Sequence, residues 1–181
     1  MNRRQFTRQT IMATAMASVA AVPGLPGIVL PPSRTIKKGI MWGSNGVGKT
    51  ISEKFQSAKA AGFDGIEAMS HLDRNEVLKA MDATGLPVPS VCGAMHWKYL
   101  LSDPDPQVRG NGVEALKLSL EDAKAFGCDT VLLVPGRVND TVSYDECWSR
   151  STEEIKKAIP LAEKLNVKIA IENVWNNFLL S

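Results

Sequence analysis

The chain predicts an α/β fold with a parallel sheet. From about residue 36 onward, an apolar strand, a polar loop, an amphipathic helix and a Gly or Asn stop follow one another repeatedly. About five strands and four helices fit this pattern, at spacings of roughly 25 to 40 residues. An open doubly wound sheet and a (β/α)8 barrel both satisfy it, and periodicity alone does not choose between them.

The first half of the repeat contains three strands and two helices. Strands are predicted at residues 40–43, 65–69 and 88–94, because each is apolar and bounded by turn residues. The first helix, residues 51–61, ends at Gly62 and has an apolar stripe formed by Ile51, Phe55 and Ala58. The second helix, residues 74–84, begins at a capping box of Asp73 and Glu76 and ends at Gly85.

The second half has longer connections. A loop at residues 96–106 precedes the third helix, residues 108–126, which ends at Gly127. The fourth strand, residues 130–134, is apolar after its first residue, as a strand covered on both faces should be. The fourth helix is predicted at residues 152–165, with a kink at Pro160 and the fifth strand following at residues 167–173. Its predicted inward residues are Ile155, Ile159, Ala162 and Leu165.

Residues 1–30 predict an export signal and linker rather than a folded element. Arg3 and Arg4 precede a short apolar stretch, residues 11–22, which is followed by prolines and glycines. The paired arginines resemble the twin-arginine signal, so a periplasmic or other extracytoplasmic location is expected. The stretch is shorter than the ~20 residues that span a bilayer, so no stable membrane insertion is expected. A disordered basic tail is the alternative.

Composition restricts the partners. The net charge of the 181 residues is +2, which is too small to favour nucleic acid or an anionic membrane. The three cysteines, Cys92, Cys128 and Cys147, have no metal-binding spacing, and their odd number argues against a disulfide framework. They are interpreted as small buried residues.

Residues 43–50 match the phosphate-loop pattern GxxxxGK[ST] between a strand and a helix. In a nucleotide site, Lys49 would meet the terminal phosphates and Thr50 would hold Mg²⁺. However, Thr50 and Glu53 also form a T-x-x-E capping box, and no later strand ends in the aspartate that would hold Mg²⁺. A glycine-rich first βα loop is therefore preferred, and a P-loop nucleotide-binding protein is the less favoured alternative.

Four segments together resemble the xylose-isomerase-like barrel superfamily of sugar and sugar-phosphate isomerases and epimerases. They are residues 54–67, the loop at residues 100–109 (LLSDPDPQVR), the strand end at residues 134–136 (VPG) and the strand end at residues 171–173 (IEN). Their order and spacing cover nearly all of residues 37–181. This resemblance selects the TIM barrel over the open sheet, and it assigns residues 36–181 to the N-terminal part of such a barrel.

The resemblance implies roles for four residues. Glu172, which closes strand five, would bind a divalent metal and take part in proton transfer; a carboxylate at that end of an apolar strand also fits barrel chemistry. Glu67, at the end of strand two, would support the site or contact substrate, and a structural ion pair is the alternative. His96, after strand three, could bond a substrate hydroxyl or phosphate, and Asn173 would orient Glu172 or a substrate oxygen. His71 is interpreted as a surface histidine. Trp42 and Trp175 near the barrel mouth could wall a sugar pocket, but packing is the preferred interpretation.

The implied reaction is proton transfer through an enediolate, with one divalent metal, Mn²⁺ or Mg²⁺ before Zn²⁺ or Co²⁺. The expected partner is a small sugar or sugar phosphate, without nucleic acid, and a homo-oligomeric full-length protein is left open. Pro135 stands where the superfamily's three-zinc DNA-repair enzymes have a histidine, which argues against DNA. The remaining ligands would lie on strands six to eight, so the 181 residues are expected to be a truncated, inactive fragment. An exported non-catalytic sugar-binding barrel is the alternative.

Overall fold

A computed structural model describes residues 36–180. The predicted export signal and linker, residues 1–30, lie outside the described residues. Within the described part, no helix is long and apolar enough to cross a membrane.

The sheet contains five parallel strands in the order β1-β2-β3-β4-β5, so every strand pairs with its neighbour in sequence. The strands are β1 (Gly39–Met41), β2 (Gly65–Met69), β3 (Val91–Cys92), β4 (Thr130–Leu133) and β5 (Lys168–Ile171). Helices connect the strands, as expected for successive β–α units of a (β/α)8 barrel. The predicted α/β class and incomplete barrel are confirmed.

Within residues 36–180, five α-helices follow the strands: α1 (Ile51–Ala60), α2 (Arg74–Thr84), α3 (Pro106–Phe126), α4 (Tyr144–Lys156) and α5 (Ile159–Leu165). Local signals set their ends. Thr50 and Glu53 form the complete capping box of α1, whereas Asp73 caps α2 through the Glu76 N–H without a return bond. Gly85 and Gly127 adopt the left-handed conformation that ends α2 and α3.

The fourth predicted helix was wrong in extent. Helix α4 begins at Tyr144 rather than at residue 152, because Ser143 and Glu146 form a capping box there. It ends at Lys156, and the separate α5 starts at Ile159 with Pro160 in its first turn, where proline is tolerated. Ile159, predicted to point inward, is exposed as a result of this break.

Strand β3 is also shorter than predicted, with two residues instead of seven. Pro87 and Pro89 precede it and have no N–H to donate to a ladder. The chain remains beside the sheet, since the Gly93 N–H donates to the Leu132 carbonyl at 3.0 Å.

Alternate residues along each strand lie on opposite faces of the sheet. Ile66, Ala68, Val91, Val131 and Leu133 are buried against the helices, in one core with Phe55, Val77, Leu116 and Leu120. The register then places the alternate residues on the opposite, inner face. These inner-face residues are Glu67, Met69, Ser90, Cys92, Leu132, Ala170 and, directly after β5, Glu172.

Candidate active site

Glu67 is a half-buried carboxylate on the inner face of the sheet. It lies two residues before the end of β2, rather than at the strand end where it was expected. The Ser90 hydroxyl, at the same level of the neighbouring chain segment, donates a hydrogen bond of 2.7 Å to Glu67 Oε1. One carboxylate oxygen is therefore fixed, and the other is left for a further partner.

Glu172 follows the last residue of β5, and its N–H donates to the Leu133 carbonyl at 3.0 Å, which extends the ladder by one residue. Burial raises the pKa of Glu172, and the negative charge of Glu67 raises it further. The two carboxylates thus lie close enough to interact, although more than one hundred residues separate them in the sequence.

Cys92 lies between these carboxylates. Its thiol is buried, and burial together with the charges of Glu67 and Glu172 raises its pKa to about 11. The side chain is therefore a neutral thiol at neutral pH. From the sequence, Cys92 was interpreted only as a small buried residue; its position in the site follows from the register of β3 with β2 and β4.

His96 is buried beside the ends of β3 and β4. The Val134 N–H donates to His96 Nδ1 at 3.2 Å, and burial lowers the pKa of His96 to about 4. Because Nδ1 accepts this bond, the proton of the neutral ring sits on Nε2, which makes Nε2 a donor. A Cβ on Gly93 would lie 3.2 Å from Nδ1, so glycine there allows the ring's close approach.

Two of the three asparagines after β5, Asn173 and Asn176, differ in environment. Asn173, predicted to orient Glu172 or a substrate oxygen, is exposed, and within residues 36–180 its side chain makes no hydrogen bond to Glu172. Asn176, which the sequence analysis missed, is buried. Its side-chain Nδ2 donates to the Gly136 carbonyl at 2.8 Å, and its backbone carbonyl accepts from the Val138 N–H at 3.0 Å. Asn176 therefore anchors the segment after β5 to the loop after β4, a role that no local sequence signal marks.

Two tryptophans stand at the same end of the sheet. Trp97 and Trp175 stack with ring centroids 5.2 Å apart and planes 14° apart. His96 meets Trp97 edge-on, with centroids 5.5 Å apart. The stack therefore joins the segment after β3 to the segment after β5.

The donors available for a metal are hard oxygens. Glu67 and Glu172 share one face, and each has a carboxylate that a cation would compensate, which fits Mn²⁺ or Mg²⁺. Within residues 36–180, no three histidine, cysteine, aspartate or glutamate side chains converge as a metal-binding group. Among the described residues, Glu67 and Glu172 are therefore the carboxylates that could take part in holding a metal.

The glycine-rich loop at residues 43–50 is closed by its own helix. The backbone N–H groups of Lys49 and Thr50 both donate to Glu53 Oε2, at 2.7 and 3.1 Å. These bonds lower the pKa of Glu53. A carboxylate therefore occupies the N–H groups that would cradle a phosphate, in keeping with the interpretation of this loop as a capped helix start.

A family model described as the xylose isomerase-like TIM barrel matches residues 55–180. The L-ribulose-5-phosphate 3-epimerase UlaE of Escherichia coli O157:H7 (strain EC4115 / EHEC) is 28% identical over 153 residues, covering 77% of this chain and 54% of that protein. The chain therefore spans about half the length of the curated relatives it matches.

Solved structures agree on the fold. The 3-keto-D-glucoside 4-epimerase YcjR from E. coli superposes with a TM-score of 0.67 at 24% identity, over 78% of this chain and 57% of that one. The D-psicose 3-epimerase from Clostridium cellulolyticum H10 gives 0.62 at 20% identity, over 80% and 55%. Because the family model covers well over half of the residues, the chain belongs to the xylose isomerase-like TIM barrel family.

Proposed function

We propose that this chain belongs to a metal-dependent isomerase or epimerase of sugars or sugar phosphates. The reaction moves a proton at the carbon next to a carbonyl. The observation that carries the proposal is the pair of carboxylates, Glu67 and Glu172, which come from separate strands to one face of the sheet. The charge of Glu67 helps to raise the pKa of Glu172. A carboxylate with a raised pKa is a better base for a weakly acidic C–H bond than an ordinary glutamate.

In this scheme Glu172 is the catalytic base and Glu67 holds substrate. Glu172 removes the proton from the carbon beside the carbonyl, which leaves an enediolate. A second acid on the opposite side of the substrate returns a proton, so that the configuration changes. The Nε2–H of neutral His96 is the donor proposed for a substrate hydroxyl or phosphate, and Asn173 is proposed to bind a substrate oxygen.

Glu172 is also the proposed metal ligand, with Glu67 as the nearest further carboxylate. When bound, a divalent ion such as Mn²⁺ or Mg²⁺ supplies positive charge that stabilises the oxygen charge developing on the substrate. A cation also offsets the repulsion between Glu67 and Glu172, so binding of the ion and deprotonation of Glu172 favour each other.

The relatives support a small ketose as substrate class. Their names refer to L-ribulose 5-phosphate, L-ribulose and D-psicose, so both phosphorylated and free ketoses occur among them. These names, together with the family match, favour epimerisation beside a ketone over other proton transfers. Export by the twin-arginine pathway remains part of the proposal.

Metal binding tests the site directly. Titration of the full chain with Mn²⁺, followed by the electron paramagnetic resonance of the free ion, should show binding that Glu172→Gln weakens by at least about tenfold. Glu163→Gln is the matched control, because Glu163 is exposed on α5. Equal Mn²⁺ affinity in the wild type and in Glu172→Gln would exclude Glu172 as a ligand.

Proton transfer tests the reaction. In D2O, the protein loaded with Mn²⁺ should replace the C3 hydrogen of D-psicose or L-ribulose 5-phosphate by deuterium. The exchange is followed by NMR. Glu172→Gln should reduce that exchange by at least about 100-fold, the contribution of a positioned base. Undiminished exchange in the variant would contradict the assignment of Glu172 as the base.

A further inference from the structure

Glu67 has one neighbour on each adjoining strand, and only one of the two can donate a hydrogen bond. On β1 the register places Met41 opposite Glu67, and a thioether has no proton to donate. On the other side, extending the register of β2 with β3 by one residue places Ser90 opposite Glu67. The Ser90 hydroxyl donates to Glu67 Oε1 at 2.7 Å, a short distance that is typical of a hydroxyl bonded to a carboxylate. The orientation of this carboxylate therefore depends on Ser90.

The segment that carries Ser90 lies close against β2 and contains two prolines. The Pro87 carbonyl accepts from the Ile66 N–H at 3.1 Å. A Cβ on Gly65 would lie 3.2 Å from that carbonyl oxygen and 3.3 Å from Pro89 Cδ, so glycine at this position allows the close approach. Because each proline ring fixes one backbone torsion, the chain loses freedom on both sides of the residue between them. The Ser90 hydroxyl is therefore held on a stiff segment of backbone.

The contact between Ser90 and Glu67 does not depend on the edges of the sheet. Strand β2 pairs with β1 and β3, and β3 pairs with β2 and β4, so both partners of the hydrogen bond lie inside the sheet. Cys92, the next residue of this segment on the same face, has a thiol, which is a much weaker donor. Ser90 is thus the strong donor that this segment offers to the carboxylate.

We propose that Ser90 is a positioning residue, which orients Glu67 for the binding of the ketose. This inference rests on the proposed function, in which Glu67 holds substrate, and it adds a residue that acts only through that carboxylate. Without the Ser90 hydroxyl, the Glu67 side chain regains rotamer freedom, and substrate binding must then supply the lost order. A serine that only satisfied a half-buried carboxylate would affect the stability of the fold but not the affinity for the sugar.

Titration calorimetry in the presence of Mg²⁺ measures this role. The full chain is titrated with D-psicose and with L-ribulose 5-phosphate, and the ketose that binds more tightly is used for the variants. Ser90→Ala should weaken its binding by roughly tenfold, the lower range for a hydrogen bond to a charged group. Ser90→Thr keeps the hydroxyl and should bind like the wild type. Thr130→Val is the matched control, because it removes a hydroxyl at the same level of β4 that bonds to Asp129 instead.

A double-mutant cycle separates positioning from an independent role of Ser90. In the Glu67→Ala background, Ser90→Ala should cause no further loss of ketose binding, because the residue through which Ser90 acts is gone. A further loss in that background would show that Ser90 acts independently of Glu67 and would overturn the proposal. Urea unfolding checks that each titrated variant is folded. Ser90→Cys, which replaces the hydroxyl by a weak donor of similar size, should show the same loss of binding and takes the place of Ser90→Ala if that variant does not fold.

The same titrations distinguish this inference from the proposed function. If Glu67→Ala weakens ketose binding and Ser90→Ala does not, Ser90 is not a positioning residue and the proposed function stands. If Glu67→Ala binds the ketose like the wild type, Glu67 does not hold substrate and this inference fails, whatever Glu172→Gln does to the exchange in D2O. If the wild type binds neither ketose, the proposed function fails together with this inference.

Discussion

The backbone N–H of Val134 donates its hydrogen bond to Nδ1 of His96 across 38 residues of sequence. This bond requires an unprotonated Nδ1, so it couples the conformation of the β4 end to the protonation state of one buried ring. The pKa of His96 is lowered to about 4 in the folded chain by burial. In the unfolded chain the pKa is expected near the ordinary value of about 6.5.

The first prediction concerns acid stability. Below pH ~6.5 the unfolded chain binds a proton at His96, whereas the native chain does not bind it until the pH is near 4. The contribution of His96 to the free energy of unfolding is therefore complete above pH ~6.5 and is lost as the pH falls toward 4. We expect a destabilisation on the order of 2 kcal/mol across this window, measured by urea unfolding at several pH values. His96→Gln should lose this part of the pH dependence.

His71, the only other histidine, provides the control. It is exposed and has a positive φ of 69°, a conformation that asparagine tolerates, so His71→Asn is the matched substitution. His71→Asn should keep the pH dependence of the wild type. The same pH dependence in the wild type and in His96→Gln would rule out His96 as its source.

A second prediction concerns the close approach of the segment before α3 to that helix. A Cβ on Gly112 would lie 2.5 Å from the Tyr99 carbonyl oxygen and 2.8 Å from Leu101 Cδ2. Gly112→Ala should therefore displace the backbone that leads away from His96 and cost about 1–3 kcal/mol of unfolding free energy.

Gly110 provides the comparison in the same helix. A Cβ at Gly110 meets nothing within 4 Å, so Gly110→Ala should stabilise the chain by about 0.5–1 kcal/mol through helix propensity. Both variants are measured by urea unfolding. Opposite signs for the two substitutions are expected, and a stabilised Gly112→Ala would refute the close approach.

The sequence predicted the bounds of an element correctly where a local apolar pattern or a helix cap determined them. Strand β2 and helix α2 were predicted at their observed bounds, because an apolar run and a 3.6-residue stripe mark them. It failed at the start of α4, where exposed Tyr144 and Trp148 hide the stripe and only the Ser143 cap marks the helix. Pro160 marked the break, but not that two separate helices result.

The candidate site likewise contains features that could be predicted from the sequence and features that could not. Glu172 could be placed from its strand end and the family resemblance, since parallel strands bring their carboxyl ends together, whereas Glu67 lies two residues before the strand end that was expected. The bond from Ser90 to Glu67 and the stack of Trp97 on Trp175 could not, because each joins segments 23 or more residues apart. Such contacts depend on the register between strands, which no local pattern encodes.

A third prediction concerns export, for which residues 1–30 are proposed to carry a twin-arginine signal. Replacing Arg3 and Arg4 together by lysine keeps the charge but removes the paired guanidinium groups that define the twin-arginine signal. We expect the protein to remain in the cytoplasm, as measured by cell fractionation and immunoblotting. Arg8→Lys, outside the pair, should leave export unchanged, and export of the double variant at the level of the wild type would contradict the signal.

A fourth prediction concerns the buried carboxylate of Glu154. Its Oε1 accepts from Arg109 Nε at 3.0 Å, and its Oε2 accepts from Lys157 Nζ at 2.5 Å. Arg109 also donates to the carbonyls of Asp103 and Pro104, so this cluster holds the loop after β3 against α4. Burial alone would raise the pKa of Glu154, but Lys157 and Arg109 outweigh it and leave the pKa lowered.

Arg109→Met should leave Glu154 buried with one partner, and that partner, Lys157, is half-exposed. We expect a loss of about 2–4 kcal/mol in the free energy of unfolding, because an incompletely compensated buried charge is costly. Lys168→Met is the control. It breaks the exposed pair with Asp129 and should leave the urea midpoint unchanged within error.

The double variant Arg109→Met/Glu154→Leu distinguishes the charge from the loop contacts. If the uncompensated carboxylate causes the loss, replacing it by an apolar side chain of similar size should recover most of the stability. If the bonds from Arg109 to Asp103 and Pro104 matter more, the double variant stays as unstable as Arg109→Met. We expect recovery, because Pro104 is exposed and Asp103 is only half-buried, so that water can replace the lost donors.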